Sequence, residues 1–292
     1  MTEVSRHIWP TSNAETDSVR PTTLTTPTVK SPYFSIIITT HLRAFFLRRC
    51  LSSLRANSFT DYELIVVSDV FDAATLQVAG EMLNDNDTFL KRVGRSGPAL
   101  SRNMGMQSAR GHYILFLDDD DAFLPNYLAD AYNATKQDPG YVLYTNPRVV
   151  EEDRTKPQDP PLRITDQSMA ETDFQSMYVK NFIQNHTAIF PHSTLRGKLQ
   201  EPCLSSLEDW DFLLNVASGA EFKYKDVRGP VTFKDFVNPG TRRGNSSDAL
   251  GVKGLSDYMH IYKRWPAPND ALRLQRQQLL TQIGFTAPLE WL

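Results

Sequence analysis

Cysteine is nearly absent: a chain of 292 residues carries 2, Cys50 and Cys203. They build no disulfide framework, and neither lies in a CxxC or Cys/His cluster, so a reactive role for them is not expected. Two lone thiols fit a reducing, cytoplasmic setting. Long apolar runs are also missing. None nears the roughly 20 residues that cross a bilayer, so any membrane contact is expected to be peripheral, at the inner face. No basic start followed by an apolar segment opens the chain, and no secretory leader is expected. Charge of one sign is lacking too, with 31 Lys and Arg against 34 Asp and Glu. A nucleic-acid partner, which needs a strongly basic face, is therefore not expected.

What remains is a composition 40% hydrophobic, enough for a large core. Residues 1–32, rich in Thr, Ser and Pro (TTLTTPTVKSP), read as a flexible tail. Order starts at Tyr33. YFSIIITT and YELIVVSD are β-branched runs typical of buried strands. Between them, Phe46, Leu47, Cys50, Leu51 and Leu54 recur at helical spacing. A helix through about Leu83, a second over RNMGMQSARG and the strand HYILFL follow. PNYLADAYNATKQ reads as helix and YVLYTN as strand. Strands alternating with helices predict an α/β fold with a mainly parallel sheet over 33–235. The remainder, 236–292, reads as a Gly/Ser/Arg loop (VNPGTRRGNSSD) and two helices. Leu272, Leu279, Leu280 and Ile283 give the last helix an apolar side. Docking on the core is its default use; a twin subunit or a membrane-bound partner are the alternatives.

Ligands of such sheets sit beyond the carboxyl ends of the strands. Those ends bring Thr39–Thr40, Ser68–Asp69 and Asp118–Asp121 to one rim. Four consecutive acids raise one another's pKa and strain the fold unless a cation neutralises them. Mg²⁺ or Mn²⁺ would do so with one or two carboxylates and the phosphates of a ligand. A solvated acidic turn, with Asp121 or a neighbour capping the next helix, is the plainer alternative.

FLDDDDAF, preceded by SRNMGMQSARGHYI, resembles the family 2 glycosyltransferases of the GT-A fold. Their mark is an apolar strand ending in Asp-x-Asp, after an Arg-Asn-x-Gly helix and an Ala-Arg-Gly turn. The resemblance reaches back through SIIITTHLRAFFLRRCLSSLRANSFTDYELIVVSD. It implies a GT-A catalytic domain with a small helical C-terminal extension. The implied donor is a nucleotide-diphosphate sugar, the acceptor a glycan or lipid-linked glycan, and the cofactor a divalent metal, Mn²⁺ or Mg²⁺. Thr40 matches a nucleotide-contacting position, Asp69 the acid that reads the base, and Arg102 a residue on the nucleotide side. Asp118 and Asp120 match the acids of Asp-x-Asp, Asp118 toward ribose or metal and Asp120 on the metal. Asp119 and Asp121 fall at positions where turn polarity is an equal account.

The acceptor hydroxyl needs a base. LSSLEDWDFLLN offers Glu208 and Asp209 at a helix start, where the macrodipole alone favours acids. The pair resembles the family's catalytic Glu-Asp motif, which makes Asp209 the base and Glu208 the substitute. One base and no second nucleophilic carboxylate imply inversion at the anomeric carbon. Arg242 and Arg243 match a loop that folds over the donor diphosphate; an exposed basic loop is the alternative. His186 is either structural or near the acceptor. The chain departs from the family in SDVFDAAT, which lacks the second acid and the Gly-Ser, and in TTHL after the first strand. A sugar-phosphate nucleotidyltransferase would need a Gly-rich loop after that strand, and TTHLRAFF has none. A non-catalytic sugar-nucleotide binder would be expected to lose the base, and Glu208–Asp209 is intact.

Overall fold

Four strands line up in parallel at the heart of the sheet, in the order β3-β2-β1-β4. They are β1 (Phe34–Thr40), β2 (Tyr62–Ser68), β3 (Thr88–Lys91) and β4 (Tyr113–Asp118). The computed structural model describes residues 30–204, 206–237 and 252–292. The tail expected over 1–32 lies almost wholly outside them. Every residue of β1 is buried, as a central strand with helices on both faces requires. The intervening helices are α1 (Ala44–Arg55), α2 (Ala73–Met82) and α3 (Pro98–Ser108). The chain first builds outward from β1 to β3, then returns to lay β4 on the other side of β1. That reversal opens a crevice at the carboxyl ends of β1 and β4.

Beyond β4 the sheet becomes mixed. β5 (Ala122–Phe123), α4 (Tyr127–Gln137) and the long β6 (Val142–Glu152) follow. Then come β7 (Arg163–Asp166), β8 (Ala188–Pro191), α5 (Glu208–Ala217) and β9 (Phe222–Asp235). β8 runs antiparallel to both β4 and β6, while β9 is parallel to β6 and antiparallel to β5. β7 is a solvent-exposed edge on β6. The described residues from Ser31 onward form one compact unit.

Alternate residues of each central strand feed two cores. Ile36, Ile38, Leu64, Val66, Leu115 and Leu117 pack with Leu47, Leu51 and Leu128 on one face. Ile37, Ile65, Val67, Ile114 and Phe116 pack on the other with Trp210, Phe212 and Leu213 of α5. Burying each such side chain contributes about 1.5–3 kcal/mol before the cost of ordering it. Helices α6 (Val252–Arg264) and α7 (Asp270–Gln282) complete the second core through Tyr258, Ile261, Tyr262 and Leu280. The apolar side of α7 is thus turned onto the core. Arg276 fastens it: the guanidinium is fully buried over the Tyr262 ring and donates to the carbonyls of Tyr178, Tyr262, Trp265 and Leu292. Asp211 accepts from Arg264 and from the Trp265 indole, both at 2.8 Å, so it serves this docking.

The Arg-Asn-x-Gly and Ala-Arg-Gly segments now have physical reasons. A Cβ at Gly105 would come 2.4 Å from Ile37 Cγ2, so the glycine lets α3 lie close on β1. This close fit aims Arg102 and Asn103 at the crevice. At Gly111 a Cβ would come 2.5 Å from the Ser35 backbone nitrogen. There the buried Glu63 accepts from Ser35 Oγ (2.6 Å), Arg110 N (2.7 Å) and Arg110 Nε (2.8 Å), pinning the turn beneath β1, β2 and β4. Among the described residues no helix is long and apolar enough to cross a membrane. Cys50, buried, and Cys203, exposed, are both free thiols.

Candidate active site

The four acids alternate in and out. The Asp118 side chain is 38% exposed and Asp120 17%. Asp119, at 0%, and Asp121, at 8%, point inward. The Asp121 N–H donates to the Asp118 carbonyl, closing the turn that produces this alternation. Asp118 and Asp120 are therefore the more exposed pair of the four.

Arginines from remote segments meet these charges. Arg102, buried, donates to Asp118 Oδ1 at 2.8 Å and to Glu208 Oε1 at 3.0 Å. Arg43 lies 2.6 Å from Asp119 Oδ1 and donates to Asp120 Oδ2 at 2.8 Å. Arg154 donates to the same Asp120 oxygen at 2.9 Å. Beneath them Arg49 donates to the Asp120 carbonyl at 3.0 Å and stacks on Phe233, 3.6 Å from the ring centroid. Part of the charge of the acid run is thus met by arginines within the protein.

Does the set fit a metal ion? Its more exposed acids, Asp118 and Asp120, offer hard oxygens of the kind suited to Mg²⁺ or Mn²⁺, with one oxygen of each held by arginine. Among the described residues no group of three or more His, Cys, Asp or Glu could hold an ion alone. Two carboxylates completed by ligand phosphates remain a fit for such ions.

At the ends of β1 and β2, Asp69 is nearly enclosed. Its Oδ1 lies 2.6 Å from His41 Nδ1, and its Oδ2 accepts from Gly97 N at 2.8 Å, with Arg92 Nη2 at 3.6 Å. Thr40 is buried beside it. Leu42, the next residue but one, has φ +55°, a left-handed conformation strained for leucine. Leu207, just before α5, has φ +62°. Both strained leucines flank the crevice, one before Arg43 and one before Glu208.

Glu208 lines a cleft of about 300 Å³ with Gly97, Pro98, Pro202 and Leu204. Asp209 turns to Asn181, whose amide donates to Oδ2 at 3.3 Å, while Trp210 N donates to Oδ1 at 2.8 Å. Burial and the charge of Glu208 push Asp209 up to about 7, against the pull of Arg102. Glu208, by contrast, is tied to Arg102. Burial also raises Asp118, yet the charge and hydrogen bond of Arg102 win and leave it below the usual carboxylate range. Burial lifts Asp119 to about 7, with Arg43 opposing and Asp120 adding to the rise. Burial and the charges of Asp120 and Asp118 lift Asp121 well above its ordinary value. His186 is buried, with Nε2 3.0 Å from Thr232 Oγ1 and Nδ1 3.5 Å from Asp121 Oδ2. Burial lowers it to about 4.

Stability should follow these shifts. A buried acid raised to about 7 keeps a proton that the unfolded chain has already lost, so raising the pH costs folding energy. From pH 6 to 8 the cost is about 1 kcal/mol for each of Asp119 and Asp209. His186 acts in the opposite sense, but only between its folded value of about 4 and the ordinary 6.5. The ligand-free protein is therefore expected to melt at a lower temperature at pH 8 than at pH 6. A melting temperature that rises across that interval in calorimetry would contradict the burial of these two acids.

Thr40, Asp69, Arg102, Asp118, Asp120, Glu208 and Asp209 all lie around the strand ends and the start of α5. Arg102 sits between the Asp118 and Glu208 carboxylates. Arg242 and Arg243 lie outside the described residues. Sequence reasoning missed His41, Arg43, Arg154 and Gln200. Gln200 accepts from Arg102 at 3.2 Å and pairs its backbone N–H and carbonyl with Asn103. The run RAFFLRR, with three arginines opening one helix beside an acidic rim, was a signal for Arg43 and Arg49.

An α/β sheet with acids and arginines gathered at its switch point has its polar groups where ligands of open α/β sheets bind. The model for "Glycosyl transferase family 2" matches residues 35–197, more than half of the chain, and the chain belongs to that family. A Haemophilus influenzae protein described as "Uncharacterized glycosyltransferase" is 26% identical over 232 residues, 77% of this chain and 75% of that protein. The Campylobacter jejuni GalNAc(5)-diNAcBac-PP-undecaprenol β-1,3-glucosyltransferase is 33% identical over 101 residues, 34% of this chain and 33% of the relative. The chain thus spans only a third of that relative's length. Among solved structures, Staphylococcus aureus TarS 1–349 in complex with UDP-GlcNAc superposes with a TM-score of 0.64. It is 20% identical, with 87% of this chain and 73% of TarS covered, and attests the shared fold.

Proposed function

We propose that the protein is a metal-dependent, inverting glycosyltransferase that moves a sugar from a nucleoside-diphosphate donor to a hydroxyl of a glycan or lipid-linked glycan. Arg102 carries the reading: one buried guanidinium spans Asp118 and Glu208, so donor-side and base-side acids share one rim. The TarS complex with UDP-GlcNAc supports the donor class, and the undecaprenol-linked substrate in the relative's name supports the acceptor class. The nucleoside lies over the ends of β1 and β2, near Thr40 and Asp69.

Asp118 and Asp120 would hold a divalent ion, which supplies positive charge opposite the departing diphosphate. Arg43 and Arg154 hold Asp120 in place for it. Asp209, with its proton affinity set near neutral pH, takes the proton of the acceptor hydroxyl at a carboxylate oxygen. Asn181 and the Trp210 N–H orient that carboxylate. Glu208, bound to Arg102, is the weaker base. With one free base, the attack is a single displacement and the anomeric carbon inverts.

A thermal-shift screen of nucleoside diphosphates with and without Mn²⁺, paired with nucleotide release on adding donor and a panel of acceptors, tests this reading. Stabilisation should need the metal, and Asp120→Ala should abolish it. An Asp120→Ala protein that kept the metal-dependent shift would remove the metal from this turn.

A further inference from the structure

We propose that His41 is the side chain that reads the donor's nucleobase, and that Asp69 is a positioning residue that decides which ring nitrogen of His41 carries the proton. The inference rests on the nucleoside-diphosphate donor proposed above and adds a class of base to it.

Asp69 is poorly placed to meet a base itself. Its side chain is 6% exposed, and both oxygens are engaged, Oδ1 by His41 and Oδ2 by Gly97 N. His41, the first residue after β1, is 30% exposed and stands between the buried acid and the rim. Its backbone is fixed by a 3.4 Å hydrogen bond from His41 N to Asp119 Oδ2 and by the left-handed Leu42 that follows. Among the described residues Nε2 has no hydrogen-bond partner. Two residues beyond Asp69, the Phe71 ring is 62% exposed, with Lys91 Nζ 4.3 Å from its centroid. An exposed aromatic at this rim offers a stacking face for a base.

The chemistry follows from the carboxylate. It only accepts, so the 2.6 Å contact places the proton on Nδ1. A neutral imidazole then presents Nε2 as an acceptor. An acceptor selects a base whose pairing edge carries a ring N–H: uracil or thymine at N3, guanine at N1. Cytosine and adenine offer a lone pair at the corresponding ring atom, and two lone pairs repel.

Asp69→Asn makes the idea sharp. Gly97 N–H and Arg92 both need an oxygen on their side, so the new amide turns its NH₂ toward His41 Nδ1. The ring proton moves to Nε2, which becomes a donor. Binding of UDP, dTDP, GDP, CDP and ADP in the presence of Mn²⁺ would be measured by calorimetry at pH 8, above the ordinary imidazole range. The native protein should favour one or more of UDP, dTDP and GDP over CDP and ADP by about tenfold or more, the weight of one good hydrogen bond. His41→Ala should erase that preference, and Asp69→Asn should tilt it toward CDP or ADP. A merely structural role would weaken all five nucleotides alike. A His41→Ala protein that keeps the native preference, or a native protein that favours CDP or ADP, overturns the proposal while leaving the glycosyltransferase reading intact. A native protein that binds none of the five overturns the donor reading itself.

Discussion

Asp209→Asn is expected to lower kcat by roughly 10²–10⁴-fold, the usual contribution of a general base, while nucleoside-diphosphate affinity stays within about twofold. The amide keeps the size of the side chain and its place beside Asn181 and the Trp210 N–H but cannot take a proton. In the native enzyme kcat should fall as the pH drops below about 7, because protonating Asp209 removes the base. That acid limb should vanish from the residual activity of the variant. Single-turnover rates across pH 5.5–8.5 provide the check. If Glu208→Gln produced the larger loss and Asp209→Asn kept the limb, the two acids would exchange roles.

Arg102→Met should have the second large effect, and it should reach both stability and chemistry. The apolar stem still fills the space, but Asp118 and Glu208 lose the charge between them. Breaking a buried ion pair costs about 3–5 kcal/mol. Asp118 is 38% exposed, so water recovers part of this and the lower end applies. A fall in melting temperature of roughly 5–10 °C follows for a unit of this size. Arg102 also restrains the rise of Asp209. Its removal should move the acid limb of the rate profile to higher pH. A variant that lost stability with the limb unmoved would separate Arg102 from the base and make it a purely structural bridge.

The parts of this site that were legible in the sequence are those written in contiguous residues. FSIIITT and YILFLD are apolar on both faces, so they read as central strands, and the acids at their ends marked the rim. EDWDFLLN announced a helix start with acids beside a core tryptophan. The later strands were harder. β3 is only four residues and partly exposed, and β9 mixes exposed and buried positions because it crosses from a solvated end to the core. No short window separates such segments from loops.

The electrostatics were legible only in part. Four adjacent aspartates pointed to a neutralising cation, but the arginines that meet them lie 16 to 77 residues away as the chain counts, in Arg43, Arg102 and Arg154. Spacing says nothing about such pairings. Asp69 shows the same limit. Its position at the end of β2 was visible, while the His41 ring beside it depended on how the two strand ends close.

The placing of those arginines bears on how the polypeptide emerges from the ribosome. Synthesis runs from the amino end, and Arg43, Arg49 and Arg102 are all made before Asp118–Asp121. These guanidinium groups are therefore already in the chain when the acids arrive. The most repulsive stretch of the chain thus follows Arg43, Arg49 and Arg102 in synthesis, while Arg154, the other donor to Asp120, and Glu208, the other partner of Arg102, are made later.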